Sequence, residues 1–304
     1  MSLALILAAL SFVCPALPEL SLSDPVEVSI RVNAMVPTPE LIEQTRHELG
    51  LDRPIAERWL SWLAALAHGD LGLSFISRRP VTESFLEAVP ATMILAGAAL
   101  LIILAASIPA ALVSIAHAGG PVDTLVRGFV FAATAVPAFC AGLFLIDVFA
   151  LRLDLLPTSG MRSASSIVLQ AVTLALAYAG TYTRLLRSEM IRTERADWVL
   201  FAKSCGMPQS ELLCRILVNS LRGTISALTM SVPKLAAGAF VVETIFAWPG
   251  IGRLAVQAVF NRDLPVIQAY VFFTAILFVL CSLLGDLILY ALDPRERVKS
   301  ENLS

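Results

Sequence analysis

Charged side chains make up only 15% of this 304-residue sequence, and its 22 Lys and Arg are offset by 24 Asp and Glu. Ordinary soluble domains carry about 25% charge. Without a basic excess the chain lacks the electrostatic footprint of a nucleic-acid binder, which neutralises phosphates with clustered Lys and Arg. Histidine occurs three times (His47, His68, His117), never in the middle of an apolar run, and the seven Met show no MxxM spacing. A route for bare metal ions needs His, Cys, Met or carboxylate clusters at membrane depth, so that class is excluded and no metal ligands are expected. The five Cys (Cys14, Cys140, Cys205, Cys214, Cys281) form no CxxC pair and have no partner His. They read as structural, inert thiols outside any disulfide framework. GxxxxGK[ST], HExxH, GxSxG and GxGxxG are all missing. The chain is therefore expected to be no enzyme, to have no catalytic residues and no ATPase site of its own, and to need no cofactor.

What is present is hydrophobic length. Apolar residues make up 57% of the chain and mean hydropathy is +0.79. A hydrocarbon core of about 30 Å needs roughly 20 such residues as helix. Runs of that kind cover residues 88–118, 124–151, 167–183, 224–248 and 264–292. Residues 1–18 are apolar too, but lack the charged start and small-residue cleavage site of a signal peptide, so they read as a first transmembrane helix. The expectation is an all-α integral membrane protein of six spans, with helices kinked at Pro109, Pro137 and Pro233.

Orientation follows from Lys and Arg in the loops. Residues 184–223 hold seven of them (Arg184, Arg187, Arg192, Arg195, Lys203, Arg215, Arg222), and the tail 293–304 adds Arg295, Arg297 and Lys299. Loop and tail are expected in the cytoplasm, with both termini inside. The segment 19–87 then lies outside, and it is long enough to cross whatever its charge. In it, Thr38 is placed to cap a helix over 39–49 that Gly50 stops, and residues 55–68, with Trp59 and Trp62, form a second helical pattern. The domain expectation is thus a first helix (1–18), an extracytoplasmic helical segment (19–87), a five-helix core (88–292) and a tail (293–304).

The stretch Arg195–Gly223 reads RADWVLFAKSCGMPQSELLCRILVNSLRG: a helical pattern stopped by Gly206, then a second opened by Pro208. This resembles the coupling loop of bacterial ABC importer permeases, EAAxxxG followed after nine residues by IxLP. Ala202, Gly206 and Ile216 match it, whereas Leu200, Phe201 and Asn219 stand in place of the glutamate, the first alanine and the proline. Three further stretches are similar to the dipeptide, oligopeptide and nickel permeases of that class, nearest the B-type permease of nickel and metallophore importers. They are GDLGLS at 69–74, VVETIFAWPGIGR at 241–253, and NRDLPVIQ at 261–268, and LDPR at 292–295 is similar to their common ending. Read alone, the Trp248–Gly252 stretch is a membrane-boundary turn anchored by its tryptophan.

The resemblance implies a six-helix permease bundle of the bacterial inner membrane. Asp197, Ala202, Gly206, Glu211 and Ile216 would couple it to the ATPases. Its partners would be a second, different permease subunit, two ATP-binding subunits and an extracytoplasmic solute-binding protein. A secondary transporter is the rival from another class, but it would carry inverted repeats. A scaffolding membrane protein would not need a glycine-hinged cytoplasmic knob. Among charges inside the runs, Asp147 is placed either to snorkel to water or to pair with Arg152, and Glu243 to be tied to backbone N–H groups of the WPGIG turn. Asp123 and Arg127 are placed to pair at a helix start. Lys234 lies deeper, after Pro233, and reads either as half of a buried pair or, with Glu243, as part of the translocation pathway. A pathway lysine favours an anionic cargo, hence a nickel or other metal–chelator complex. A peptide cargo fits the same motifs.

Overall fold

The structure, a computed structural model, describes residues 12, 24–33 and 35–292, without the side chains of 25, 222, 225, 226 and 292. The expected first span (Phe12 apart) and the tail lie outside the described residues. Among these, every regular element is a helix, and a lone antiparallel bridge joins Leu73 to Pro80.

Three short helices come first: α1 (Pro25–Val32), α2 (Pro39–Glu48) and α3 (Ile55–Ala67). Thr38 caps α2 by accepting from Leu41 N at 3.3 Å, as its position predicts. The long α4 (Val81–Ala116) is followed by α5 (Pro121–Ala135), α6 (Ala138–Leu145) and a π-helical turn (Ile146–Arg152). Then come α7 (Ser166–Glu194), α8 (Asp197–Ser204) and α9 (Gln209–Thr229). The chain continues through α10 (Ser231–Gly238), α11 (Phe240–Ile245), α12 (Ile251–Asn261) and α13 (Leu264–Leu292).

Of the six spans the sequence predicts, four are present as helices long and apolar enough to cross a membrane: Val81–Ala116, Ser166–Glu194, Ala227–Ile245 and Leu264–Ala291. A fifth exists if α5 and the α6–π segment count as one span bent by 96°. The expected kinks at Pro137 and Pro233 take another form. At Pro137 the helix breaks outright with a bend of 96°, because the preceding Val136 is extended (φ −81°, ψ 123°), as a residue before proline prefers to be. α4 runs on past Pro109. Pro233 falls in the first turn of α10, where its missing N–H breaks no helical bond.

The described residues divide into two compact units, one of those up to 93 with 236–279, the other of 94–235 with 280–292. In the first, Val81, Phe85 and Ala88 pack with Ile251, Ala258, Val266 and Ala269. In the second, α7 is the central helix. The Ser107 hydroxyl donates to the Ala179 carbonyl at 3.1 Å, a polar tie of the kind that holds helices together where apolar surface alone gives no preference. The π-helical turn brings Asp147 and Arg152 into an ion pair of 2.8 Å, the pair the sequence predicts.

Candidate coupling and translocation sites

The loop between α7 and α9 is built on one glycine. Gly206 has φ +75°, a left-handed conformation that a β-carbon disfavours. Its N–H donates to Lys203 O (3.0 Å) and that of Met207 to Ala202 O (3.1 Å), the paired bonds of a Schellman cap that ends α8. No atom lies within 4 Å of where its β-carbon would be, so the need is conformational and not one of space.

Ala202 and Ile216 do not face outward. They are buried with Val199 and Leu212 against Leu186 and Met190 of α7 and Ala111 and Ile115 of α4. Fully burying an isoleucine contributes about 1.5–3 kcal/mol and an alanine methyl about 0.8 kcal/mol, so these positions help clamp the loop to the helices behind it. Asp197, in the first turn of α8, and Glu211, in the first turn of α9, are exposed. Glu211 pairs with Arg215 at 2.8 Å. The surface the loop offers is apolar: Leu200 is 69% exposed, Phe201 71% and Trp198 36%. Leu200 and Phe201 are the departures from the family pattern, and sequence reasoning counted them only as losses. Two large apolar residues in a loop that lies outside every span were the available signal.

Part of the loop's positive charge is internal. Arg187 donates to Ser114 Oγ (2.7 Å) and to Asp123 Oδ2 (3.0 Å), and Asp123 also accepts from Gly119 N at 3.2 Å. Arg127, the partner expected for Asp123, also pairs with it, at 3.7 Å and with its own side chain mostly exposed. A buried carboxylate with an engaged guanidinium ties α7 to the start of α5.

In the first unit, two motifs meet through one side chain. The Ser74 hydroxyl donates to Asp263, whose other oxygen accepts from Phe75 N at 2.9 Å. The GDLGLS stretch is thereby fastened to the NRDLP stretch at the start of α13. Burial pushes the Asp263 carboxyl above its ordinary range, against the pull of these hydrogen bonds.

Glu243 is fully buried. It accepts from Thr92 Oγ1 (2.6 Å) and from the backbone N–H of Arg253 (2.9 Å), the tie to the WPGIG turn that its position predicts. A β-carbon at Gly250 would overlap this carboxylate, and one at Gly252 would sit 2.7 Å from Phe240 Cα. The glycines leave room for Glu243. Trp248 is 1% exposed and donates to Ala91 O at 2.9 Å, so it is a core residue and no boundary anchor. Enclosed in this way, Glu243 lines no open path. Lys234 is different: it lies within the Ala227–Ile245 span, is exposed, and forms no ion pair among the described residues, while its carbonyl accepts from Tyr178 Oη at 3.3 Å. No group of three or more metal-ligating side chains occurs among the described residues.

Comparison with known proteins places this geometry. The model of a family described as "Binding-protein-dependent transport system inner membrane component" matches residues 98–298. The metal-staphylopine import system permease protein CntB of Staphylococcus aureus is 35% identical over 260 residues, covering 86% of this chain and 84% of the relative. The glutathione transport system permease protein GsiC of Shigella flexneri is 30% identical over 261 residues, covering 86% and 85%. The MetNI methionine ABC transporter in an inward-facing conformation shares the fold at a TM-score of 0.58 and 16% identity, over 69% of this chain and 96% of that one.

Proposed function

From the premise that the chain belongs to the family of inner membrane components of binding-protein-dependent transport systems, and so is a multi-pass ABC importer permease, we propose that it imports a metal–chelator complex. In this reading it pairs with a second, different permease subunit. Two ATP-binding subunits dock on the face of Trp198, Leu200 and Phe201, which is apolar and exposed. Asp197 and Glu211 flank that face, and Gly206 keeps the loop a rigid lever. Closure of the ATPase dimer moves the lever and switches the bundle between its two access states. A solute-binding protein delivers cargo on the opposite side, where the segment 19–87 lies, and both termini are cytoplasmic.

The observation that carries the cargo is Lys234, exposed and without an ionic partner inside a candidate span. An unpaired charge at the bilayer centre costs about 2.5–3.5 kcal/mol on insertion scales, so such a residue faces a protein or water-filled interior and acts there. A lysine there attracts an anionic cargo, and a metal wrapped in a carboxylate-rich chelator, nickel in the first instance, has that charge. Similarity to a metal-staphylopine permease supports this choice. Peptide import is the second reading, supported by the glutathione permease. Lys234→Ala should cut uptake of the nickel chelate at least tenfold in cells carrying the whole importer, with assembly and basal ATP hydrolysis unchanged. Normal chelate uptake by the variant, or competition by peptides in place of chelates, contradicts the assignment.

A further inference from the structure

Residues between His47 and Arg78, with the start of α13, enclose a cavity of about 430 Å³ in the first unit. That is the size of a small-molecule site. Three arginines line it, Arg53, Arg58 and Arg78, against one carboxylate, Glu48. Glu48 is engaged with Gln44 Nε2 at 3.2 Å, and the other titratable lining residue, His47, is paired with Asp52 at 2.7 Å. Arg79, one residue on, is held by Glu83 and Glu87. Arg53 and Arg78 form no ion pair among the described residues. The remaining wall is largely apolar, with Phe75 and with Trp62 set edge-on to the Phe272 ring at 5.4 Å.

Arg78 also has φ +58°, where glycine is the relaxed residue. Its backbone is held there: the Arg78 N–H donates to Ser74 O at 3.1 Å, and the Ser74 hydroxyl is fixed on Asp263. The chain thus presents two guanidinium groups, Arg53 and a strained Arg78, at a cavity whose one lining carboxylate is Glu48.

We propose that this cavity binds a small molecule carrying two or more carboxylates, with Arg53 and Arg78 taking the carboxylates through paired N–H donors and the apolar wall holding the carbon skeleton. The proposal rests on the reading above only for the natural ligand, which is then the chelator of the cargo, received on the delivery side. The test uses the whole importer complex in lipid nanodiscs, without the solute-binding protein, titrated calorimetrically with citrate and with its uncharged trimethyl ester. Citrate should bind saturably and the ester should not. The Arg53→Gln/Arg78→Gly double variant should weaken citrate at least tenfold with an unchanged or raised thermal midpoint, since glycine relaxes position 78. If that variant does not assemble, Arg53→Gln alone, a change at an exposed residue, should weaken citrate at least threefold. No saturable citrate binding, equal binding of the ester, or unchanged affinity in the variants overturns the site. So does loss of citrate binding in Lys234→Ala with both arginines intact. Citrate binding without nickel-chelate uptake contradicts the cargo reading and leaves the site standing, whereas uptake without citrate binding does the reverse.

Discussion

Asp263 is 5% exposed, between α12 and α13, and does two jobs with one carboxylate. It takes the Ser74 hydroxyl and the Phe75 N–H, and its own carbonyl accepts from Ile267 N at 3.1 Å to open α13. Burial raises its carboxyl above the ordinary 3.8. A group whose folded value is raised holds its proton more tightly folded than unfolded. Its contribution is therefore fully present below the ordinary value and is lost as pH rises through the folded one. The thermal midpoint of the purified protein should carry a component that falls with rising pH across this acid window. Asp263→Asn should remove it. An unchanged slope in that variant contradicts the assignment. Both stretches were recognisable as motifs in the sequence, but the bond between them was not, because 189 residues separate Ser74 from Asp263 and no local pattern reports so distant a partner. Arg187, counted as one of seven basic residues, is engaged by Asp123, 64 residues away, which no local pattern reports either.

At the scale of the element, local chemistry was the more legible. Thr38 capping α2, Gly206 ending α8 and the Asp147–Arg152 pair all follow from residues a few positions apart. What periodicity did not convey was which side of the coupling loop is buried. The family pattern draws attention to Ala202 and Ile216, and both turn inward, while the unmatched Leu200 and Phe201 form the open face. Pro137 was legible as a kink but not as a full break bent by 96°, because a proline weakens the helix without setting the angle. Gly206→Val places a β-branched side chain at φ +75°, at a cost of about 1–2 kcal/mol or more. With open space around it, that cost is local to the turn. The variant should insert in the membrane yet lower transport and reduce the ATP-binding subunits recovered on co-purification. Full transport with normal co-purification contradicts the role of this loop.

At the scale of the molecule, the described chain is two helical units with four or five candidate spans, and the family match covers residues 98–298. Composition alone reached the membrane class, since apolar length is a property of the sequence and needs no partner. The driving machinery is another matter. This chain has no nucleotide-binding motif, and in the proposed reading its energy comes through the face of Trp198, Leu200 and Phe201. The most direct test puts the purified complex of both permeases and both ATP-binding subunits into liposomes, adds the solute-binding protein, and follows radioactive nickel presented with and without a polycarboxylate chelator. Uptake should require ATP hydrolysis, the solute-binding protein and the chelator together. Uptake of free nickel, or chelate uptake that persists without the ATP-binding subunits or runs on an ion gradient, contradicts it.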